Sequence, residues 1–301
     1  MMRLVSPGRH GQSTLMLLPI TILAVGLGLY PIGQGIYLGF TNYRIGGIFG
    51  IVPLRFLGFA NFQHLFADPD FTNGLLLIVT IGAIVVAVTY VMGYLLALLL
   101  NQRFPLRRVF RTLVLLPMAI PPLVGGYMWR YLYDPSLGAV HGLLLWLHLE
   151  TAPAYLPLDP TLGAFWIALV GVWLGLPFVT LLVLAALQSV SADLHEAAAI
   201  DGAGRLARFW YVTFPATRGL LAAIVPLSFA GQMLAFDAYF VLSGSGQGGN
   251  TAGASFMIPT IYAYFDLTTG LLGRAAAAGD IVLVVILLAF GLSRYISMRE
   301  A

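Results

Sequence analysis

The feature that most limits this chain is a series of apolar runs, each long enough to cross a bilayer. A helix traversing the hydrocarbon core needs roughly 20 mainly apolar residues. Six such segments can be drawn, at 14–38, 73–100, 113–133, 162–187, 217–242 and 271–293. Leu75–Val88 is interrupted only by Thr80 and Gly82, and Ile281–Phe290 not at all. Outer-membrane barrel strands would instead be short and alternate in polarity. Only 9% of the 301 residues are charged, against about 25% in a soluble domain. The expected fold is an all-α polytopic membrane protein with six transmembrane helices.

Composition removes whole classes of chemistry. The chain has no cysteine, so disulfides, thiol catalysis and thiolate metal sites are excluded. All 15 basic residues are arginine, which leaves no lysine for a Schiff base or a Walker A phosphate cradle. His10, His64, His141, His148 and His195 fall into no compact metal-binding spacing, and a net charge of +3 is too thin for nucleic-acid binding. No catalytic centre, metal or cofactor is expected. The first apolar run follows Arg3 and Arg9 but is too long for a cleavable signal segment, so it reads as a retained helix.

Arginine placement orients the chain. With both termini inside, Arg3, Arg9, Arg103, Arg107, Arg108, Arg111, Arg205, Arg208, Arg218, Arg294 and Arg299 are cytoplasmic, while Arg44, Arg55, Arg130 and Arg274 are external. That asymmetry fits the positive-inside rule. The resulting organisation is a cytoplasmic tail at 1–13, a transmembrane domain at 14–293 and a cytoplasmic tail at 294–301. Trp129, Tyr131 and Tyr133, and later Tyr262, Tyr264 and Phe265, sit where headgroup-level aromatics belong. Packing between helices is their other reading.

The third segment contains Pro117, Pro121 and Pro122. Proline removes a backbone donor and crowds the preceding turn, so this helix must kink or break. The run 243–250 (Ser-Gly-Ser-Gly-Gln-Gly-Gly-Asn) reads as a flexible external turn.

The most informative stretch lies between the fourth and fifth segments, at about 189–215. Asp193 followed by Glu196 suggests a capping box, with a short helix from Leu194 to Ile200 and a stop at Gly202. Arg205 and Arg208 then sit on a second short helix, Phe209, Trp210 and Phe214 supply an apolar anchor, and Pro215 introduces the fifth span. Asp201 could cap the second helix. The string Glu196-Ala197-Ala198, Asp201-Gly202-Ala203, Phe209 and Pro215 resembles the EAA loop of permease subunits of bacterial ABC importers, in the maltose/sugar branch. Arg111 through Pro122, Gly126, Trp129-Arg130, Pro135, Gly138 and Phe236-Asp237 are similar to other strings of that family.

The resemblance implies a permease without covalent chemistry, in a bacterial or archaeal plasma membrane. Its implied partners are a second, non-identical permease subunit, two ATP-binding subunits and an extracytoplasmic solute-binding protein that delivers a sugar, oligosaccharide or polyol. Glu196, Ala197, Ala198, Asp201 and Gly202 would form a coupling helix seated in an ATPase subunit. His141, Arg274 and Asp280 depart from the family's usual residues. Asp237 and Asp280 stand out as charges within or near spans, which are costly in lipid and face protein or water. Asp280 is expected to form a packing hydrogen bond or a water-lined position. Trp173, Thr180, Gln232, Asp237 and Tyr239 are candidates for a solute path. Arg130 and Arg274 are the only cations near the outer face, which favours a neutral solute. An ion-coupled secondary transporter using Asp237 or Asp280, or a membrane scaffold without solute flux, are the alternatives.

Overall fold

The computed structural model describes residues 17, 19–45, 54–149, 155–159, 162–244 and 256–299. The Gly-rich turn at 245–250 lies outside them. Helices are α1 (Pro19–Gly39), α2 (Ala60–Ala67), α3 (Pro69–Asn101), α4 (Arg107–Leu115), α5 (Pro122–Leu132), α6 (Ala139–Trp146) and α7 (Gly163–Ser189). They continue as α8 (Ala192–Ile200), α9 (Arg205–Arg208), α10 (Phe214–Met233), α11 (Asp237–Leu242), α12 (Pro259–Thr268) and α13 (Leu272–Arg299). Among the described residues the only β contact is an isolated bridge between Thr41 and Phe56. Five helical stretches are long and apolar enough to span a membrane, or six if the bent α4–α5 pair is one span. The all-α polytopic expectation therefore holds.

The third span is a break rather than a gentle kink. Arg107–Ala119 and Pro122–Leu132 meet at 99°. Ile120 (ψ 124°) and Pro121 (ψ 137°) are both extended, because each precedes a proline that disfavours the helical region. Two other prolines are absorbed differently. Pro31 and Pro215 each follow a π-helical turn, Val25–Leu29 and Phe209–Thr213. The wider turn shifts the carbonyls that a proline ring would otherwise meet, so the helix continues. Arg205 to Leu242 is consequently one span-length stretch. The sequence expectation of a separate second short helix, with the fifth span starting at Pro215, is corrected by this continuity.

The chain divides into two compact units, 1–67 with 263–281, and 68–262 with 282–301. In the larger unit α3 and α7 pack along their lengths through small residues, as membrane helices do where backbones approach closely. A Cβ on Gly93 would meet Val179 Cγ1 at 2.9 Å, and one on Gly171 would meet Tyr239 Oη at 2.9 Å and Val85 at 3.0 Å. Tyr94, Ala97 and Leu100 of α3 join Val179, Val183, Leu184 and Leu187 of α7 in one apolar cluster. The C-terminal ends of α3 and α7 thus lie together. Two expected headgroup aromatics are buried instead. Tyr133 is fully covered and donates to the Trp166 carbonyl at 2.8 Å. Tyr262 packs on Phe71 and donates to Asp68 Oδ2 at 2.6 Å. Tyr131 remains 73% exposed.

In the smaller unit Arg274 makes a two-point ion pair with buried Asp266 and contacts His64 Nε2 at 2.7 Å. Asn61 Nδ2 donates to the Gly39 and Thr41 carbonyls, both at 2.8 Å, tying α2 to the end of α1. Asp280 presses against Gly39, and its buried Oδ2 has no hydrogen-bond partner among the described residues. Of the two positions expected for it, the packing hydrogen bond is not formed among the described residues.

Candidate functional site

The first site is the short helix between the fourth and fifth spans. Its N-terminal cap is Ser191, whose hydroxyl accepts from the Asp193 amide at 3.2 Å. This replaces the capping box expected at Asp193, because the helix starts earlier and puts Asp193 inside the first turn. There its charge favours the positive end of the helix dipole. The C-terminus closes as expected from Gly202. Gly202 has φ +82°, its amide donates to the Ala199 carbonyl at 3.1 Å, and that of Ala203 to Ala198 at 2.9 Å. This is a Schellman closure, which demands the left-handed conformation glycine adopts freely.

Nothing in α8 is buried. Nine residues are too few to hold a helix without packing, since isolated helices below about 12–15 residues are marginal. Leu194 (53% exposed) and Ile200 (87%) project into the open. Glu196 and Asp201 are exposed, with no side-chain partner among the described residues. Asp201 does not cap the following helix: Gly204 takes that position, without a side-chain bond. The element is tethered through Phe209, whose ring meets Tyr94 edge-on at 5.8 Å. The Tyr94 hydroxyl pairs with Thr217 Oγ1 at 2.8 Å. Trp210 is 54% exposed and contributes less to the anchor than its position suggested.

The second site is a cavity of about 410 Å³ framed by α3, α7, α10 and α11. It forms where the chain leaves helical geometry between Met233 and Asp237. Gln232, Asp237 and Tyr239, three of the five residues proposed from sequence for a solute path, line it. Tyr239 donates to Gln232 Oε1 at 2.8 Å. Tyr90 and Ser228 add hydroxyls 3.2 Å apart, and Phe178 and Phe236 add ring faces. The lining contains no basic residue. Thr180 and Trp173 go elsewhere. Thr180 returns its hydroxyl to the Leu176 carbonyl at 2.7 Å and lines a different cavity. Trp173 packs edge-on against Trp129. Tyr90 and Ser228 lacked any sequence signal, being ordinary polar residues in apolar runs.

Arg130 is not among the residues that line this cavity. Arg130 donates to the Val241 carbonyl at 2.7 Å and lies 5.8 Å over the Tyr155 ring, while Arg274 is held by Asp266. Burial pushes the Tyr155 phenol up to about 12, so it stays a donor, bonding the Leu242 carbonyl at 3.0 Å. Asp134 is held below the usual carboxylate range by the Ser136 and Leu137 amides, both 2.9 Å from its Oδ1.

Comparison with known proteins gives this geometry a context. Residues 89–300 match the family described as binding-protein-dependent transport system inner membrane component. A trehalose/maltose transport system permease protein of Thermococcus litoralis is 29% identical over 271 residues, covering 90% of this chain and 89% of its own. A probable ABC transporter permease protein of Sinorhizobium fredii is 31% identical over 272 residues, covering 89% and 83%. In fold, the chain superposes on one from the crystal structure of a bacterial alginate ABC transporter in complex with alginate pentasaccharide-bound periplasmic protein. The TM-score is 0.78 at 24% identity, over 97% of this chain and 96% of that one.

Proposed function

This chain belongs to the family of binding-protein-dependent transport inner membrane components, and from that membership we propose that it carries a neutral sugar-like solute, with α8 as its contact to the ATPase. As a family member it is a non-catalytic, multi-pass plasma-membrane permease of an ABC importer. Such importers combine paired permeases, ATP-binding subunits and a periplasmic solute-binding protein. Membership sets aside the ion-coupled transporter and the flux-free scaffold.

The exposure of α8 carries the coupling proposal. A helix closed at both ends, burying none of its own residues and anchored by Phe209 to the α3–α7 core, suits a rigid peg. Closure of an ATPase dimer can move such a peg and its attached helices as one body, since packed elements shift between discrete arrangements. Glu196 and Asp201 would orient it, Ala197 and Ala198 would allow close approach, and Gly202 would preserve its exit geometry.

The solute proposal rests on the hydroxyl and amide groups of Tyr239 and Gln232, with the Asp237 carboxylate beside them, aromatic rings flanking them and no basic residue in the lining. Sugars present both apolar ring faces and hydroxyls, which such a lining matches. The trehalose/maltose relative supports the same class. The partner permease is expected to be a non-identical chain, with two ATP-binding subunits below the pair. The test is the assembled complex in liposomes with a single cysteine at Ile200→Cys, unique because the chain has none. ATP-dependent uptake of a maltose-class solute, and a cross-link from position 200 to the ATP-binding subunit, are expected. Uptake without any such cross-link would reject the coupling role, and failure to move any neutral saccharide would reject the solute class.

A further inference from the structure

The separate cavity lined by Thr180, of about 290 Å³, opens between α3, α4 and α7. Its walls are mostly apolar, from Val114, Leu115, Leu181 and Leu184, with Thr180, Gln188 and Arg111 as the polar lining. Arg111 Nη2 and Arg107 Nε both donate to the Leu100 carbonyl, at 3.2 and 2.7 Å. These bonds fix the two guanidinium groups at the α3 C-terminus and leave most of their donors unspent. Arg111 Nε is buried without a partner. Arg103 and Arg108 stand nearby in sequence, and none of the four arginines makes an ion pair among the described residues. No Asp or Glu occurs between Asp70 and Asp134 or between Asp159 and Asp193, so the helices framing the cavity cannot neutralise this charge.

The cavity lies at the end of the bundle that carries α8, because the C-terminal ends of α3 and α7 meet there. That end is cytoplasmic by the arginine asymmetry. On α4, Val109, Phe110 and Leu113 are about half exposed beside the arginines, the pattern of a helix at the headgroup boundary. Basic pockets between helices on the cytoplasmic side suit anionic lipid headgroups. We propose that Arg107 and Arg111 bind the phosphate of an anionic phospholipid from the cytoplasmic leaflet, with part of an acyl chain in the cavity bounded by Val114, Leu181 and Leu184. The lipid would brace the break-bearing third segment against α7.

The test uses the assembled complex in a neutral detergent. Short-chain phosphatidylglycerol should raise the unfolding midpoint, whereas phosphatidylcholine of equal chain length and inorganic phosphate should not. Co-purifying anionic phospholipid, counted by mass spectrometry, should fall severalfold in Arg107→Gln/Arg111→Gln. Ala185→Phe, which fills the cavity and leaves both arginines, should lower it as well. Should the double variant fail to assemble, Ala185→Phe alone decides. Equal shifts with the two lipids, unchanged retention in the variants, or a full response to inorganic phosphate would each overturn the proposal, the last by identifying a site for free anions.

Discussion

The carboxylate of Asp280 occupies the space that a side chain on Gly39 would need. Gly39 closes α1, and Asp280 sits on α13, so each position restricts the other. Gly39→Ala is expected to destabilise the complex by about 1–3 kcal/mol, the usual cost of overpacking. Asp280→Ala added to it should recover part of that loss, because the carboxylate is gone while the Ala277 backbone still lies 3.3 Å from the added Cβ. Thermal unfolding of the single and double variants checks this; additive losses would count against the steric link.

Gly202 has open space around a Cβ but a left-handed backbone. Gly202→Ala should therefore cost only about 1–2 kcal/mol locally. Gly202→Pro cannot adopt the angle and loses the amide bond to Ala199, so the α8 exit must refold. The Pro variant is expected to insert normally yet hydrolyse ATP without uptake. Paired ATPase and transport assays would show it, and intact uptake would argue against the coupling role.

Phe209 and Tyr94 link α8 to the core by a ring contact, while Tyr94 and Thr217 share a hydroxyl bond. These contacts differ in weight. Thr217 Oγ1 also lies 3.1 Å from both the Thr213 and Phe214 carbonyls, so Tyr94→Phe leaves it satisfied and should cost only about 0.6 kcal/mol. Phe209→Ala removes a partly buried ring and should cost more, about 1–3 kcal/mol, below the 3–5 typical of a fully buried one. Denaturation midpoints of the two variants should rank in that order.

Tyr239→Phe breaks the bond to Gln232 without changing shape. If the pair orients a solute hydroxyl, transport at low solute concentration should fall about tenfold, with maximal rate less affected. A buried polar pairing of this kind is worth about 0.5–1.5 kcal/mol. Saturation curves for uptake would separate this effect from misfolding, which lowers the maximal rate instead.

Asp134 gives a pH signature outside the spans. Its folded carboxyl is depressed by two backbone donors, so its stabilising effect is present above the unfolded value of about 3.9. That effect is lost as pH falls through the lower folded value. Amide exchange at Ser136 and Leu137, corrected for intrinsic rate, should accelerate only below about pH 4. Asp134→Asn should flatten that response.

Much of this architecture was legible from residue order. Apolar run length marks the spans, because the bilayer sets a minimum length for each. Gly202 marks a helix end, because a left-handed residue is a local backbone demand. The proline cluster marks a break, because its sterics act on the adjoining turn. These are short-range properties, and amino-acid identity at a few positions suffices to determine them.

Tertiary structure decided where the side chains meet. It brought Gln232 and Tyr239 together with Tyr90 and Ser228, yet sent Thr180 to a separate cavity, though each reads alike as a polar residue in an apolar helix. It placed Ser191 rather than Asp193 at the cap, buried Tyr133 and Tyr262, and let π turns carry Pro31 and Pro215 through continuous helices. An apolar helix has no polar stripe to reveal its inward face, since lipid and protein interior are equally apolar. Only the close approach of particular glycines fixes its rotation, and with it the lining of each cavity.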